Sequence, residues 1–161
     1  MSAVDADVAL ERSLRDGVGD APTESGGCVP VIDMGAADAG ERMWEAARSV
    51  GFFTLVNHGV DAAAIERGFA ASERFFGEAV AVKRRESPFE ASQNAGYEFF
   101  SQVRPSTGLA DQKESLQITA RAGAMDGRWP RTPPSFERDA RDLLAQAHGL
   151  GRRVLSLLEP R

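Results

Sequence analysis

The chain has 161 residues, 42% hydrophobic and 27% charged, which is the composition of one globular domain able to bury its own core. Its net charge of -5 is concentrated in residues 1–27, where Asp5, Asp7, Glu11, Asp16, Asp20 and Glu24 meet only Arg12 and Arg15; the rest is close to neutral, which excludes a nucleic-acid footprint and a basic membrane-binding face. Cys28 is the single cysteine, which excludes an internal disulfide and a thiolate metal cluster.

A reducing compartment suits that cysteine usage. The first residues carry acids and lack the apolar run of about 7 to 15 residues of a secretory signal. No stretch approaches the roughly 18 apolar residues of a membrane helix, so the expectation is a soluble, cytoplasmic protein.

Residues 1–27 are rich in Asp, Gly, Ala and Ser with scattered apolar positions, and read as a disordered acidic tail ahead of one domain over 28–161. Val29 to Met34 reads as a short strand, with Pro30 confining it to an edge or a strand start. Asp38 and Glu41 have the spacing of a capping box, predicting a helix to Ser49 with Met43, Ala47 and Val50 on one face. Gly51 suits the helix end, where a left-handed backbone is cheap only for glycine. The run Phe52, Phe53, Thr54, Leu55, Val56 has no polar face and predicts a central strand covered on both sides.

Asp61 is a plausible N-cap for a helix carrying Ile65, Phe69, Ser72 and Phe76 at helical spacing, with Phe75 widening the face, and stopping at Gly77. A shorter helix, Glu78 to Arg85, has its acid first and Lys83, Arg84 and Arg85 last, as the helix dipole prefers, and Pro88 closes it. Pro88 to Gln112 lacks a sustained period and reads as a long loop with a short strand at Tyr97 to Val103; loops of that length are usually functional or disordered. Glu114 to Thr119 alternates like a half-buried strand.

Asp126-Gly127 is a turn signal, and Trp129 to Pro134 reads as extended. Ser135 then caps the clearest helix, on which Phe136, Ala140, Leu143, Ala147, Leu150, Val154 and Leu157 recur at alternating four and three, with Leu144, Leu155 and Leu158 widening the stripe. At 1.5 Å per residue the rod is about 36 Å long. The order of elements predicts an α+β fold, helices packed on a few short strands.

Taken together, VPVIDM (Val29 to Met34), VGFFTLVNHGVD (Val50 to Asp61), GYEFF (Gly96 to Phe100) and DQKESLQI (Asp111 to Ile118) resemble the N-terminal domain of the iron(II)- and 2-oxoglutarate-dependent dioxygenases related to isopenicillin N synthase. The resemblance covers roughly Val29 to Leu158. It implies a parent enzyme whose double-stranded β-helix, or jelly-roll, lies C-terminal to this part, with iron(II) and 2-oxoglutarate bound in that barrel and a small molecule as substrate.

In that family the iron is held by a His-x-Asp and a later His, and an Arg-x-Ser binds 2-oxoglutarate. Here the histidines are His58 and His148, followed two residues on by Val60 and Leu150, so neither begins the motif. The expectation is that this chain binds no metal or cofactor, has no catalytic residue and is inactive alone. Its partner would be the C-terminal barrel that it lacks.

The resemblance also marks a substrate entrance. Matched through AGY, substrate-binding positions of isopenicillin N synthase fall on Asn94 and Glu98, where that enzyme has Arg and Tyr; Tyr97 and Arg104 lie in the same segment. These four are the candidate substrate-binding residues, and Gln93 to Arg104 the candidate rim. Asp111, Lys113 and Glu114 match the family's D-x-K-E and read as fold-setting; Lys113 and Glu114 point to opposite faces of a strand and cannot pair there. Nucleotide-binding glycine motifs and a Gly-x-Ser-x-Gly elbow are absent from the sequence. The alternative to an oxygenase domain is a stand-alone, non-catalytic interaction module or dimer that docks through its Phe136 to Leu158 helix.

Overall fold

The computed structural model describes residues 29–100, 103 and 108–159, so the acidic tail and Arg104 lie outside the described residues. The described chain forms two compact units, one of residues 29–77 with 131–159 and the other of residues 78–130.

In the first unit, β1 (Val31–Asp33) and β2 (Thr54–Val56) pair in parallel, with Ile32 opposite Leu55, and α1 (Ala39–Ser49) makes the crossover between them. Pro30 stands just before β1, where it needs no amide hydrogen, and its carbonyl accepts from the Thr54 amide at 2.8 Å. Ile32 and Met43 are fully buried with Ala39 and Ala46, and Phe53, Leu55, Val154 and Leu157 close over them.

Three sequence expectations need correction here. The strand at Phe52 to Val56 is not central: among the described residues β2 pairs only with β1, and Phe52 is 71% exposed. The covering helices lie on one side, so alternation sends Phe53 and Leu55 to the core and leaves Phe52, Thr54 and Val56 outward. The buried face of α1 is Ala39, Met43 and Ala46, while Ala47 and Val50 are exposed. Asp38 and Glu41 form no capping box, because the Asp38 side chain makes no cap bond.

Gly51 does adopt the left-handed backbone, at φ 84°, and its amide donates to the Ala46 carbonyl at 2.9 Å. Asp61 caps α2 (Ala62–Phe76), its Oδ1 accepting from the Ala63 amide at 3.0 Å, and Gly77 is the C-cap. The buried face of α2 is Ala64, Gly68, Ala71 and Phe75: Phe75 was expected on it, but the other three stand one residue round from the expected Ile65, Phe69 and Ser72, and Phe69 is 72% exposed. Small residues won over large ones because they allow a neighbouring helix close: Leu143 lies directly over Gly68.

That neighbour is α4 (Phe136–Leu158), whose bounds match the periodic stripe. Phe136 meets the buried Phe75 edge to face at 5.7 Å between ring centres, and the far end of α4 reaches α1, where the Leu157 backbone lies against Gly40. Ser135 occupies the N-cap position but its side chain does not cap the helix. The expected extended run before it ends instead in a turn in which the Phe136 amide donates to the Pro133 carbonyl at 2.9 Å, after a cis Thr132–Pro133 bond. Arg67 joins α2 to α4, its Nη2 donating to Asp142 Oδ2 at 2.9 Å.

In the second unit, α3 (Val80–Glu86) packs on an antiparallel hairpin of β3 (Gly96–Phe99) and β4 (Glu114–Gln117). Both strands are shorter than predicted: β3 stops where Phe100 turns to φ 50°, and Val103 pairs only in an isolated bridge with Ala110. A small apolar cluster, Ala95, Ala124 and Met125 with Ile118 and Trp129, sits beside the hairpin. The secondary structure is thus mixed helix and strand, with four helices and two two-stranded sheets among the described residues.

Candidate functional site

The residues expected to meet substrate flank and occupy β3, and local geometry sets where each one points. Glu90 and Ala95 bond each other's backbones at 2.8 and 3.3 Å, closing a turn over residues 91–94 that ends in Asn94 at φ 49°. Asn94 is one of the few residues that tolerate this left-handed conformation, and it is exposed. Gly96 follows at φ 103°, and any Cβ there would overlap the Pro88 carbonyl, so only glycine lets the strand pass this close.

Tyr97 turns inward. It is 3% exposed, its ring stacks with Phe99 at 6.5 Å between centres, and its hydroxyl donates to Glu114 Oε2. The same oxygen accepts from Lys83 Nζ at 2.6 Å, and that ammonium also lies 5.3 Å from the centre of the Tyr97 ring. Lys83 is itself 3% exposed.

Three elements therefore converge on one carboxylate. Burial works against a charged Glu114, but the bonds from Lys83 and Tyr97 and the Lys83 charge outweigh it and hold the carboxyl below its ordinary range. Burial, and after it the bond to Glu114 and its negative charge, push the Tyr97 phenol up. Neighbouring Lys113 is not part of this cluster: its Nζ lies 4.0 Å from Asp111 Oδ2, in keeping with the opposite faces expected for Lys113 and Glu114.

Glu98 lies on the other face of the hairpin. It is half-buried opposite Ser115, and Gln117 Nε2 donates to its Oε2 at 3.4 Å and to Ser115 Oγ at 3.4 Å. Of the four candidates, then, Tyr97 and Glu98 project to opposite sides of one strand, Asn94 sits in the exposed turn before it, and Arg104 is outside the described residues.

Beside that turn lies a polar pocket of about 380 Å³ lined by Glu90, Ser92, Gln93, Gly123 and Arg128 among others. The Ser92 hydroxyl and amide, donating at 2.8 and 3.2 Å, hold the Glu90 carboxyl below its ordinary range, with Arg128 Nη2 3.8 Å away.

In the sequence Lys83 reads only as one of three cations ending a helix, and sequence reasoning does not single it out. Its spacing held a signal: Val80, Lys83 and Ser87 recur at three and four, so the lysine stands in a stripe that faces the hairpin, between a half-buried valine and a fully buried serine.

The histidines have ordinary surroundings. His58 Nδ1 accepts from the Val60 amide at 3.1 Å and its carbonyl accepts from Arg153 Nη2 at 2.8 Å, while His148 is exposed on α4. Among the described residues no three His, Cys, Asp or Glu side chains are grouped so as to hold a metal ion. The donors present there do not fit a ferrous ion with its two histidines and a carboxylate. Nor, among the described residues, is any helix long and apolar enough to cross a membrane.

Comparison with known proteins bears on the whole segment. Residues 29–136 match the family described as "non-haem dioxygenase in morphine synthesis N-terminal". The chain is 27% identical over 136 residues to a bi-functional coumaroyl CoA and feruloyl CoA ortho-hydroxylase of Ipomoea batatas, covering 81% of this chain and 37% of that protein. It is 27% identical over 141 residues to a 1-aminocyclopropane-1-carboxylate oxidase of Musa acuminata, covering 81% of this chain and 42% of that one. The chain thus spans about two fifths of the curated relatives it matches.

Among solved structures, a Shewanella oneidensis protein assigned as an oxygenase superposes with a TM-score of 0.60 at 26% identity, over 83% of this chain and 44% of that one. A Caulobacter crescentus protein assigned to the 2OG-Fe(II) oxygenase family superposes with a TM-score of 0.59 at 23% identity, over 81% and 47%, a likeness of fold alone. With the match running from the strand at Val31 through the hairpin to the start of α4, the chain belongs to the family of non-haem dioxygenase N-terminal domains.

Proposed function

We propose that residues 28–161 are the N-terminal scaffold and substrate-entrance domain of a cytoplasmic, non-haem iron(II), 2-oxoglutarate-dependent oxygenase acting on a small molecule. The observation that carries the reading is the family match over residues 29–136, joined to the partial coverage of the relatives, 37% and 42% of their lengths. The parent's iron and 2-oxoglutarate belong in this reading to a C-terminal jelly-roll barrel that supplies the His-x-Asp, the later His and the Arg-x-Ser. The parent hydroxylates, desaturates or cyclises its substrate while 2-oxoglutarate is decarboxylated to succinate.

Within that enzyme the long helix α4 buttresses the barrel. Its outward Leu144 and Leu155, 47% and 66% exposed, are the apolar positions the barrel would cover. The rim from Gln93 to Arg104 shapes the entrance, with Asn94, Glu98 and Arg104 meeting substrate and Tyr97 supporting the strand between them. The buried ring of Tyr97 and the half-buried polar face at Glu98 support that division of labour.

The coding sequence downstream of Arg161 tests the reading. A His-x-Asp, a later His and an Arg-x-Ser in the same frame is the expected result; a stop codon with nothing similar beyond it would contradict it.

A further inference from the structure

The β3–β4 hairpin has two pairings that its apolar residues would accept. In the observed register Tyr97 faces Leu116 and Phe99 faces Glu114. Sliding β4 by two residues keeps every side chain on its present face, because the side-chain period of a strand is two. It sets Tyr97 against Ile118 and Phe99 against Leu116, two apolar pairs in place of one apolar pair and one carboxylate. Directly facing pairs alone therefore favour the pairing that is not observed, although in the observed one Ile118 packs against Ala95, Ala124 and Met125 instead. The connection continues the observed pairing, with the Phe100 amide donating to the Lys113 carbonyl and Val103 bridging Ala110, but residues 100–113 are far more than a tight turn whose geometry alone would fix the register.

The observed pairing is distinguished as well by the position of Glu114. There its Oε2 accepts from Lys83 Nζ at 2.6 Å and from the Tyr97 hydroxyl, while Lys83 is 3% exposed. A slide of two residues would carry Glu114 about 7 Å along the strand and separate a buried ammonium from its carboxylate, an arrangement that costs far more than one apolar pair gains.

We propose that Lys83 is a positioning residue that sets the register of the β3–β4 hairpin through Glu114. The hairpin's other face follows from that choice: Glu98 stands opposite Ser115, with the Gln117 amide donating to it at 3.4 Å, whereas the slid pairing puts Glu98 opposite Gln117. The consequence for a substrate entrance rests on the function proposed above; the register itself does not.

The Phe100 amide donates to the Lys113 carbonyl at 3.1 Å, so by alternation Tyr97 and Leu116 form a pair without mutual hydrogen bonds, whose α-hydrogens lie close. Isotope-labelled full chain read by nuclear magnetic resonance tests the proposal. The unaltered protein gives a Tyr97–Leu116 α-hydrogen contact. In Lys83→Met that contact is lost and a Tyr97–Ile118 contact replaces it, and Lys83→Arg, which keeps the cation, retains the first. Where Lys83→Met does not fold, the double variant Lys83→Met with Glu114→Gln removes both charges together and gives the Tyr97–Ile118 contact. A Tyr97–Leu116 contact persisting alone in the folded Lys83→Met chain, or in the double variant, would overturn the proposal.

Discussion

Leu143 occupies the space that a side chain at Gly68 would need: a Cβ built there stands 2.6 Å from Leu143 Cδ2. Gly40 has the same closeness to a different obstacle, the Leu157 carbonyl oxygen, also at 2.6 Å. The end of a leucine side chain can turn aside, but a helix backbone cannot. Gly68→Ala is therefore expected to change stability little, because the gain of about 1 kcal/mol in helix propensity offsets the shift of Leu143. Gly40→Ala is expected to destabilise by about 1–3 kcal/mol, as overpacking against a rigid wall does. Urea denaturation of the two variants side by side checks the order.

Lys83→Met leaves Glu114, a half-buried carboxylate, facing no ammonium and is expected to cost about 2–3 kcal/mol. In the double variant with Glu114→Gln no uncompensated charge remains, and the loss falls to about 1–2 kcal/mol. The pH dependence has a definite sign. The Glu114 carboxyl is held below its ordinary range in the fold, so its contribution is present above the unfolded value of about 4.3 and is lost as pH falls through the folded value. The double variant lacks that acid-dependent part, which urea midpoints at neutral and acid pH will show.

Tyr97 is the chain's single tyrosine, so its ionisation is read against no background. Burial and the neighbouring Glu114 carboxylate raise its phenol above the usual value of about 10. A raised folded pKa means stability fully present below about pH 10 and lost as pH climbs through the folded value. Tyrosinate absorbance is expected to appear only where the fold is lost, in step with the circular dichroism. Tyr97→Phe removes a bond to a charged acceptor and is expected to cost about 1.5–3 kcal/mol.

Leu144 and Leu155 lie outward on α4, 47% and 66% exposed. The isolated chain is expected to bind a dye that brightens on apolar surface, or to associate as its concentration rises. Leu144→Glu with Leu155→Glu should lower both signals while leaving the thermal midpoint within a few degrees, since exposed substitutions away from the core shift stability by about 0.5 kcal/mol or less. Unchanged dye binding in that variant would place the exposed apolar surface elsewhere.

How far these features could be read in advance depended on whether a residue's neighbours are close in sequence. The bounds of α4, the Asp61 cap and the turn at Gly51 all follow from local periodicity or from one residue's backbone preference. The faces of α1 and α2 do not: Gly68 and Ala71 are buried because α4, distant in sequence, needs room, and no local pattern announces that. For the same reason Phe52 and Val56 suggested a strand covered on both sides, although the covering helices lie on one. The site divided similarly. The polar alternation of Ser115 and Gln117 was visible along the strand, but the Lys83–Glu114 bond spans separate elements, and a lysine at a helix end looks the same whether solvated or buried.

The most direct test of the central claim, that this chain is scaffold for a reaction centre held by other residues, is succinate release by the purified chain supplied with iron(II), 2-oxoglutarate, ascorbate and oxygen. The expected result is no succinate above the level of iron(II) and 2-oxoglutarate without protein, and no stoichiometric iron(II) complex by calorimetry. Catalytic release of succinate by these 161 residues alone would contradict it.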